Sequence, residues 1–69
     1  MEEFFKQLMG KELDISSGSA ASVRGTVVDV KDGVLFLRDD SERVAYVILD
    51  KIAFVWEVKE GEPKAGFVL

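Results

Sequence analysis

Residue types that could perform catalysis are scarce in this chain of 69 residues. The sequence contains no histidine and no cysteine, which removes the commonest general base, the thiolate nucleophile, disulfides and the usual zinc ligands. Most serines fall in the small-residue segment 16–22, where no base accompanies them. We therefore expect no catalytic residue, no metal site and no cofactor, and we predict that the protein is not an enzyme.

The tract Asp39-Asp40-Ser41-Glu42 is the densest group of carboxylates in the sequence. Carboxylate oxygens suit a hard cation such as Ca²⁺, which this tract could hold weakly. A contiguous polar tract between two apolar segments is, however, typical of a solvated turn. We favour the turn.

Five basic residues form a candidate surface for contacting RNA phosphates: Arg24, Lys31, Arg38, Arg43 and Lys51. The chain has 13 acidic and 9 basic residues, which give a net charge of −4. A negative net charge repels a phosphate backbone at long range, and acidic residues interleave with these basic ones. We interpret the five as ordinary surface charge and keep RNA contact as the alternative.

Tyr46, Phe54 and Trp56 share strand parity and could form an aromatic platform of the kind on which bases stack. Such a platform needs positive charge beside it, but Glu57 and Glu60 follow instead. We favour packing of these rings in the core or in an interface.

The elements that position these side chains are a short helix and five short strands within a single domain, residues 1–69. Phe4, Phe5, Leu8 and Met9 lie at helical spacing and predict a helix over 2–9 with one apolar side. The strands lie within residues 11–58. Their predicted ranges are 11–15, 23–31, 34–37, 44–49 and 52–56. A short apolar tail at 65–69 either adds a strand to a sheet edge or frays.

Turn residues indicate how these strands connect and bend. Asp32-Gly33 is the strongest hairpin signal in the chain. The alternation of apolar residues changes parity at Val27-Val28, which predicts a bulge or sharp bend, and Gly25 adds freedom to curve. The fold class is therefore mainly β, a helix followed by a small, strongly bent five-stranded barrel.

Two segments, Val44–Leu49 and Ile52–Trp56, are apolar at every position, although only Asp50 and Lys51 separate them. Successive side chains of a strand point to opposite faces, and a chain of this length has one core. A second copy of the chain is the likeliest cover for the other face. We predict a homo-oligomer whose interface is formed by Val44, Tyr46, Val47, Ile48, Ile52, Phe54, Val55 and Trp56.

The order of elements resembles that of the Sm-like (LSm) barrel family, which includes Sm and Hfq proteins. The resemblance covers residues 2–58. Its first motif corresponds to Leu13-Asp14-Ile15, Gly18, Val23-Arg24-Gly25, Val30-Lys31-Asp32-Gly33 and Val34–Leu37. Its second motif corresponds to Val44–Leu49, Asp50-Lys51 and Ile52–Trp56.

This resemblance implies a ring in which the fourth strand of one copy pairs with the fifth strand of the next. RNA-binding members carry an Asn in the turn after the second strand and an Arg-Gly step, or a histidine-bearing equivalent, in the second motif. Here Asp32-Gly33 and Leu49-Asp50-Lys51 stand in those places. The resemblance thus implies the fold and the assembly more than RNA binding. Another SH3-like barrel, of PRC or KOW type, is the alternative fold.

The N-terminus is acidic, and no apolar stretch approaches the roughly 18 residues of a membrane-spanning helix. We expect a cytoplasmic protein without a membrane partner. The predicted function is a self-assembling scaffold or protein-binding module, whose partners are other copies of the chain and another protein. The alternative is a ring that contacts single-stranded RNA. A small-molecule or metal sensor has no signature in the sequence.

Overall fold

The protein is mainly β, with a short N-terminal helix followed by five antiparallel strands in one sheet. The computed structural model describes residues 1–18 and 22–59, so the predicted tail at 65–69 lies outside the described residues. The elements are α1 (Glu2–Lys6), β1 (Glu12–Ser16), β2 (Ser22–Lys31), β3 (Val34–Arg38), β4 (Val44–Ile48), a 3₁₀ turn (Leu49–Lys51) and β5 (Phe54–Glu57). This order confirms the predicted fold class.

The strands lie in the spatial order β4-β3-β2-β1-β5, so β4 and β5 are the two edges of the sheet. If the sheet were flat, its four strand-to-strand spacings of about 4.8 Å would place the two edges roughly 19 Å apart. Yet Ala45 and Val47 of β4 and Val55 of β5 all pack against the same buried cluster. The sheet is therefore strongly bent around one core. That core consists of Phe5, Leu13, Ile15, Val27, Val30, Leu35, Leu37 and Leu49.

The hairpin predicted at Asp32-Gly33 is confirmed. Both residues have positive φ, 54° and 78°, as a tight two-residue turn of the mirror-image type requires. Lys31 of β2 pairs with Val34 of β3 directly across it. The turn also contacts the 3₁₀ turn, because the Leu49 backbone N–H donates to the Gly33 carbonyl at 3.0 Å.

The predicted bend in β2 is also confirmed. The pairing of β2 with β3 shifts register between Val27 and Asp29, so one extra residue is inserted there. This shift allows Val27 and Val30, which have opposite parity, both to point into the core. Gly25 lies where β2 approaches β3 closely: a Cβ added there would lie 3.0 Å from the Arg38 carbonyl oxygen.

The helix prediction was wrong in length and in part of its buried face. The structure ends α1 at Lys6, and only Phe5 is fully buried, with Leu8 half-buried. Phe4 and Met9 are exposed. Residues three apart in a helical turn share a side, whereas adjacent residues diverge by about 100°. Because the sheet contacts only one side, it covers Phe5 and Leu8 and leaves their neighbours outside.

The second apolar segment forms a shorter strand than predicted. Leu49, Asp50 and Lys51 form the 3₁₀ turn, and β5 begins at Phe54. The 3₁₀ turn carries the Leu49 side chain into the core. Before β5, the Ala53 backbone N–H donates to the Ser16 carbonyl at 2.8 Å, so the chain is already fixed beside β1.

Candidate functional site

The free edge of β4 is the first part of the candidate site. Its sequence, VAYVI, contains neither a charge nor a proline, the residues that usually protect an edge strand from pairing. Ala45 and Val47 point toward the core, whereas Val44, Tyr46 and Ile48 are exposed on the outer face. Tyr46 is 67% exposed. Within residues 1–18 and 22–59, β3 is the only strand that pairs with β4.

The free edge of β5 is the second part. Val55 points toward the core, and Phe54 and Trp56 lie on the outer face, where Trp56 is 65% exposed. The strand carries one charge, Glu57, which forms an exposed ion pair with Lys11 at 3.5 Å. In the described part of the chain, β5 pairs only with β1.

The outer face of the sheet is apolar at its two ends and polar in its middle. On β3, next to β4, Val34 and Phe36 are half-buried. On β2 and β1, Arg24, Asp29 and Asp14 occupy the outer face. The exposed apolar side chains of the sheet therefore concentrate on β4 and β5, the two edge strands among the described residues.

The predicted interface set divides into two groups. Val44, Tyr46, Ile48, Phe54 and Trp56 are exposed and available to a partner. The other three, Val47, Ile52 and Val55, are half-buried and pack against the core of their own chain. The two strands lie at opposite ends of the sheet order, and the described residues show no pairing between β4 and β5 within the chain.

The five basic candidates also form two groups, at opposite ends of β3. Arg24 and Arg43 line one groove together with Val23 and Val44, and Arg38 lies beside it. Lys31 directly precedes the Asp32-Gly33 turn, and Lys51 belongs to the 3₁₀ turn that contacts it. The structure therefore does not join the five into one basic surface.

Two of the arginines are already paired with carboxylates. Arg24 lies 3.0 Å from Asp14, and Arg43 lies 2.9 Å from Asp39. Asp39 also accepts backbone N–H groups of Ser41 and Arg43 at 2.9 Å each. The hydrogen bond from the Arg43 backbone N–H is the main cause that lowers the pKa of Asp39 below its ordinary value. The Arg43 guanidinium and the Ser41 backbone N–H lower this pKa further. This carboxylate of the acidic tract thus fixes the β3–β4 loop.

The structure brings together the Asp32-Gly33 turn and the 3₁₀ turn over Leu49–Lys51. It also places Glu2 of α1 against them: the Glu2 carboxylate accepts the Gly33 backbone N–H at 2.6 Å. Asp32 and Asp50 are both exposed there. This contact of Glu2 was not predicted, because an acidic residue in the first turn of a helix already has a local explanation in the helix dipole.

These features define a small antiparallel β domain whose two apolar edge strands have no further pairing partner within residues 1–18 and 22–59. The chain belongs to the family described as Domain of unknown function (DUF6897), whose model matches residues 1–58. The match includes all elements from α1 to β5. No curated protein and no solved structure matches the chain. Among the described residues, no helix has the length and apolar character needed to cross a membrane.

Proposed function

We propose that the protein is a non-enzymatic, cytoplasmic Sm-like barrel that assembles into a homo-oligomer and acts as a scaffold or protein-binding module. In the assembly, β4 of one copy pairs with β5 of the next. The observation that carries this proposal is the pair of unprotected apolar edges at opposite ends of one bent sheet.

Edge pairing satisfies two needs of the single chain. It provides hydrogen-bond partners for the outward backbone groups of β4 and β5, which otherwise form a template for association. It also brings the exposed apolar side chains of both edges together, which removes apolar surface from water. A domain of this size buries comparatively little of its own surface, so burial between copies adds a large share of the total.

The two edges differ, so their pairing is heterologous: β4 of each copy contacts β5 of its neighbour. Such contacts form a closed ring when the rotation between copies closes, and an open filament when it does not. The strong bend of the sheet turns successive copies relative to one another, which supports a ring.

A charge on one edge tests this proposal. Tyr46→Lys places a cation on the exposed face of β4, where it should dissociate the oligomer without entering the core. Met9→Lys adds the same charge at an exposed apolar residue that belongs to neither edge. Light scattering should give a multiple of 7.7 kDa for wild type and Met9→Lys. Tyr46→Lys should give a single chain with an unchanged circular dichroism spectrum.

A ring that contacts single-stranded RNA is the alternative function. The contact between the Asp32-Gly33 turn and the 3₁₀ turn favours it, since a ligand at either turn would meet both. The carboxylates of Glu2, Asp32 and Asp50 oppose it, because they repel phosphate. Gel shifts with short U-rich and A-rich RNA separate the two: tight binding that weakens steeply with salt supports the RNA-binding ring.

A further inference from the structure

We infer that Trp56 of one copy is covered by Tyr46 of the next copy, so that an aromatic contact on the outer face joins neighbouring subunits. This inference rests on the proposed edge pairing and adds the side-chain contact that accompanies it. Four residues form the contact, as two aromatic pairs: Phe36 with Tyr46, and Phe54 with Trp56.

Both pairs lie next to an unpaired edge. The Phe36 and Tyr46 rings have centroids 5.1 Å apart and meet at 88°, and the Phe54 and Trp56 rings are 6.4 Å apart at 86°. Edge-to-face contacts of this kind are favourable for aromatic rings. On one side Trp56 is flanked by Asp14, its cross-strand partner on β1. Its other side faces the free edge, where the described residues place no strand.

Face parity determines which residues meet when β4 and β5 of two copies pair. Val47 and Val55 both point toward the core of their own chain, so a continuous sheet must keep them on one face. Tyr46 and Trp56 then share the opposite, outer face. A register shifted by one residue would place Tyr46 opposite Val55, which faces the core of its own chain, so only shifts of two residues keep the outer faces of the two copies on one side.

Few antiparallel registers satisfy this parity and also overlap the two strands over most of their length. They place Tyr46 directly opposite Phe54 or Trp56, whereas a register with Tyr46 opposite Val58 overlaps only two residues of each strand. In one of these two registers Trp56 is directly opposite Tyr46, and in the other it is the diagonal neighbour. Diagonal neighbours lie about 7–8 Å apart, which is within reach of aromatic side chains. Every such register therefore brings Tyr46 to Trp56.

Charge supports the antiparallel direction. Arg43 directly precedes β4, and Glu57 is the last residue of β5. Antiparallel pairing brings these opposite charges to the same end of the interface, whereas parallel pairing would place them at different ends. Both side chains are exposed in the single chain, 81% for Arg43 and 53% for Glu57, and each already pairs within its own chain, Arg43 with Asp39 and Glu57 with Lys11.

Fluorescence tests this contact directly, because Trp56 is the only tryptophan of the chain. In the wild-type oligomer its emission should be shifted to the blue, and acrylamide should quench it several-fold less than in chains diluted until they dissociate. Tyr46→Thr removes the ring but keeps a strand-forming side chain. At matched oligomer mass, this variant should restore quenching of Trp56.

Phe4→Thr is the matched control, since Phe4 is an exposed aromatic residue on α1 and belongs to neither edge. It should leave the quenching of Trp56 at the wild-type level. An oligomer whose Trp56 is quenched as readily as in the dissociated chain would overturn the aromatic contact while the assembly stands. The same is true if Tyr46→Thr leaves quenching unchanged. A wild-type protein that stays monomeric at every concentration would overturn both proposals.

Discussion

Glu2 links the first turn of α1 to the β2–β3 hairpin, 31 residues further along the chain. A partly buried hydrogen bond to a charged acceptor contributes about 1.5–3 kcal/mol. Glu2→Ala should therefore lower the free energy of unfolding in urea by roughly 1–2 kcal/mol. Glu3→Ala, which changes an exposed carboxylate of the same helix, should have little effect. Equal losses in the two variants would contradict the role of Glu2.

Gly25 is required for the close approach of β2 to β3. Replacing a glycine by alanine stabilises a chain by about 0.4–1 kcal/mol through the unfolded state when the new methyl group fits. Here that group would lie 3.0 Å from a backbone oxygen and 3.1 Å from the Leu37 Cβ, and neither can move easily. Gly25→Ala should thus destabilise by roughly 1–3 kcal/mol in a urea titration. A variant as stable as wild type would show that the strands can separate.

Asp39 should make the β3–β4 loop sensitive to acid. Its folded pKa lies below the ordinary value of 3.8, chiefly because the Arg43 backbone N–H donates to the carboxylate. The stabilisation is therefore fully present above pH 3.8 and is lost as pH falls through the folded pKa. Asp39→Asn removes this titration. The stability of wild type should fall toward that of the variant below pH 3.8, and a constant difference across this range would contradict the assignment.

At the scale of the elements, the two faces of β4 differ in their surroundings: one faces the core and the other is exposed. Val47 points toward the core, and Tyr46 points outward. Val47→Asp should bury a carboxylate and unfold the domain, with a loss of roughly 2–4 kcal/mol. Tyr46→Asp should keep the fold and lose the assembly. Circular dichroism combined with light scattering distinguishes these outcomes, and dissociation of a folded Val47→Asp protein would contradict the assigned faces.

Much of the strand pattern could be predicted from the sequence, because local chemistry determines it. The Asp32-Gly33 turn requires positive φ at both positions, and Asp and Gly tolerate it. The parity change at Val27-Val28 corresponds to an extra residue that a ladder must accommodate as a bulge. Continuous apolar segments likewise indicated β4 and β5, although their ends were less well defined.

The remaining features depend on contacts between distant parts of the chain. Whether Phe4 or Phe5 is buried depends on where the sheet meets α1, which helical spacing alone does not determine. The same is true of Glu2, whose partner Gly33 lies in the turn between β2 and β3. The candidate interface residues other than Ile52 lie on β4 and β5, but strand parity within each apolar segment could not show that Val47 and Val55 face inward. Both faces were apolar, so the sequence carried no contrast between them.

At the scale of the whole molecule, folding and assembly should be linked. A partner that binds only the folded chain stabilises it by mass action, so the thermal midpoint of an oligomer rises with protein concentration. We expect this rise for wild type and its absence for Tyr46→Lys, measured by calorimetry over a wide concentration range. A midpoint that does not change with wild-type concentration would show that the single chain folds without help from its neighbours.

The mass of the wild-type protein in solution tests the central claim most directly. Sedimentation equilibrium over a range of concentrations, with the ratio of absorbance at 260 and 280 nm recorded alongside, measures both assembly and bound nucleic acid. We predict a discrete multiple of 7.7 kDa without nucleic acid. A single-chain mass at micromolar concentration would contradict pairing of β4 with β5 between copies.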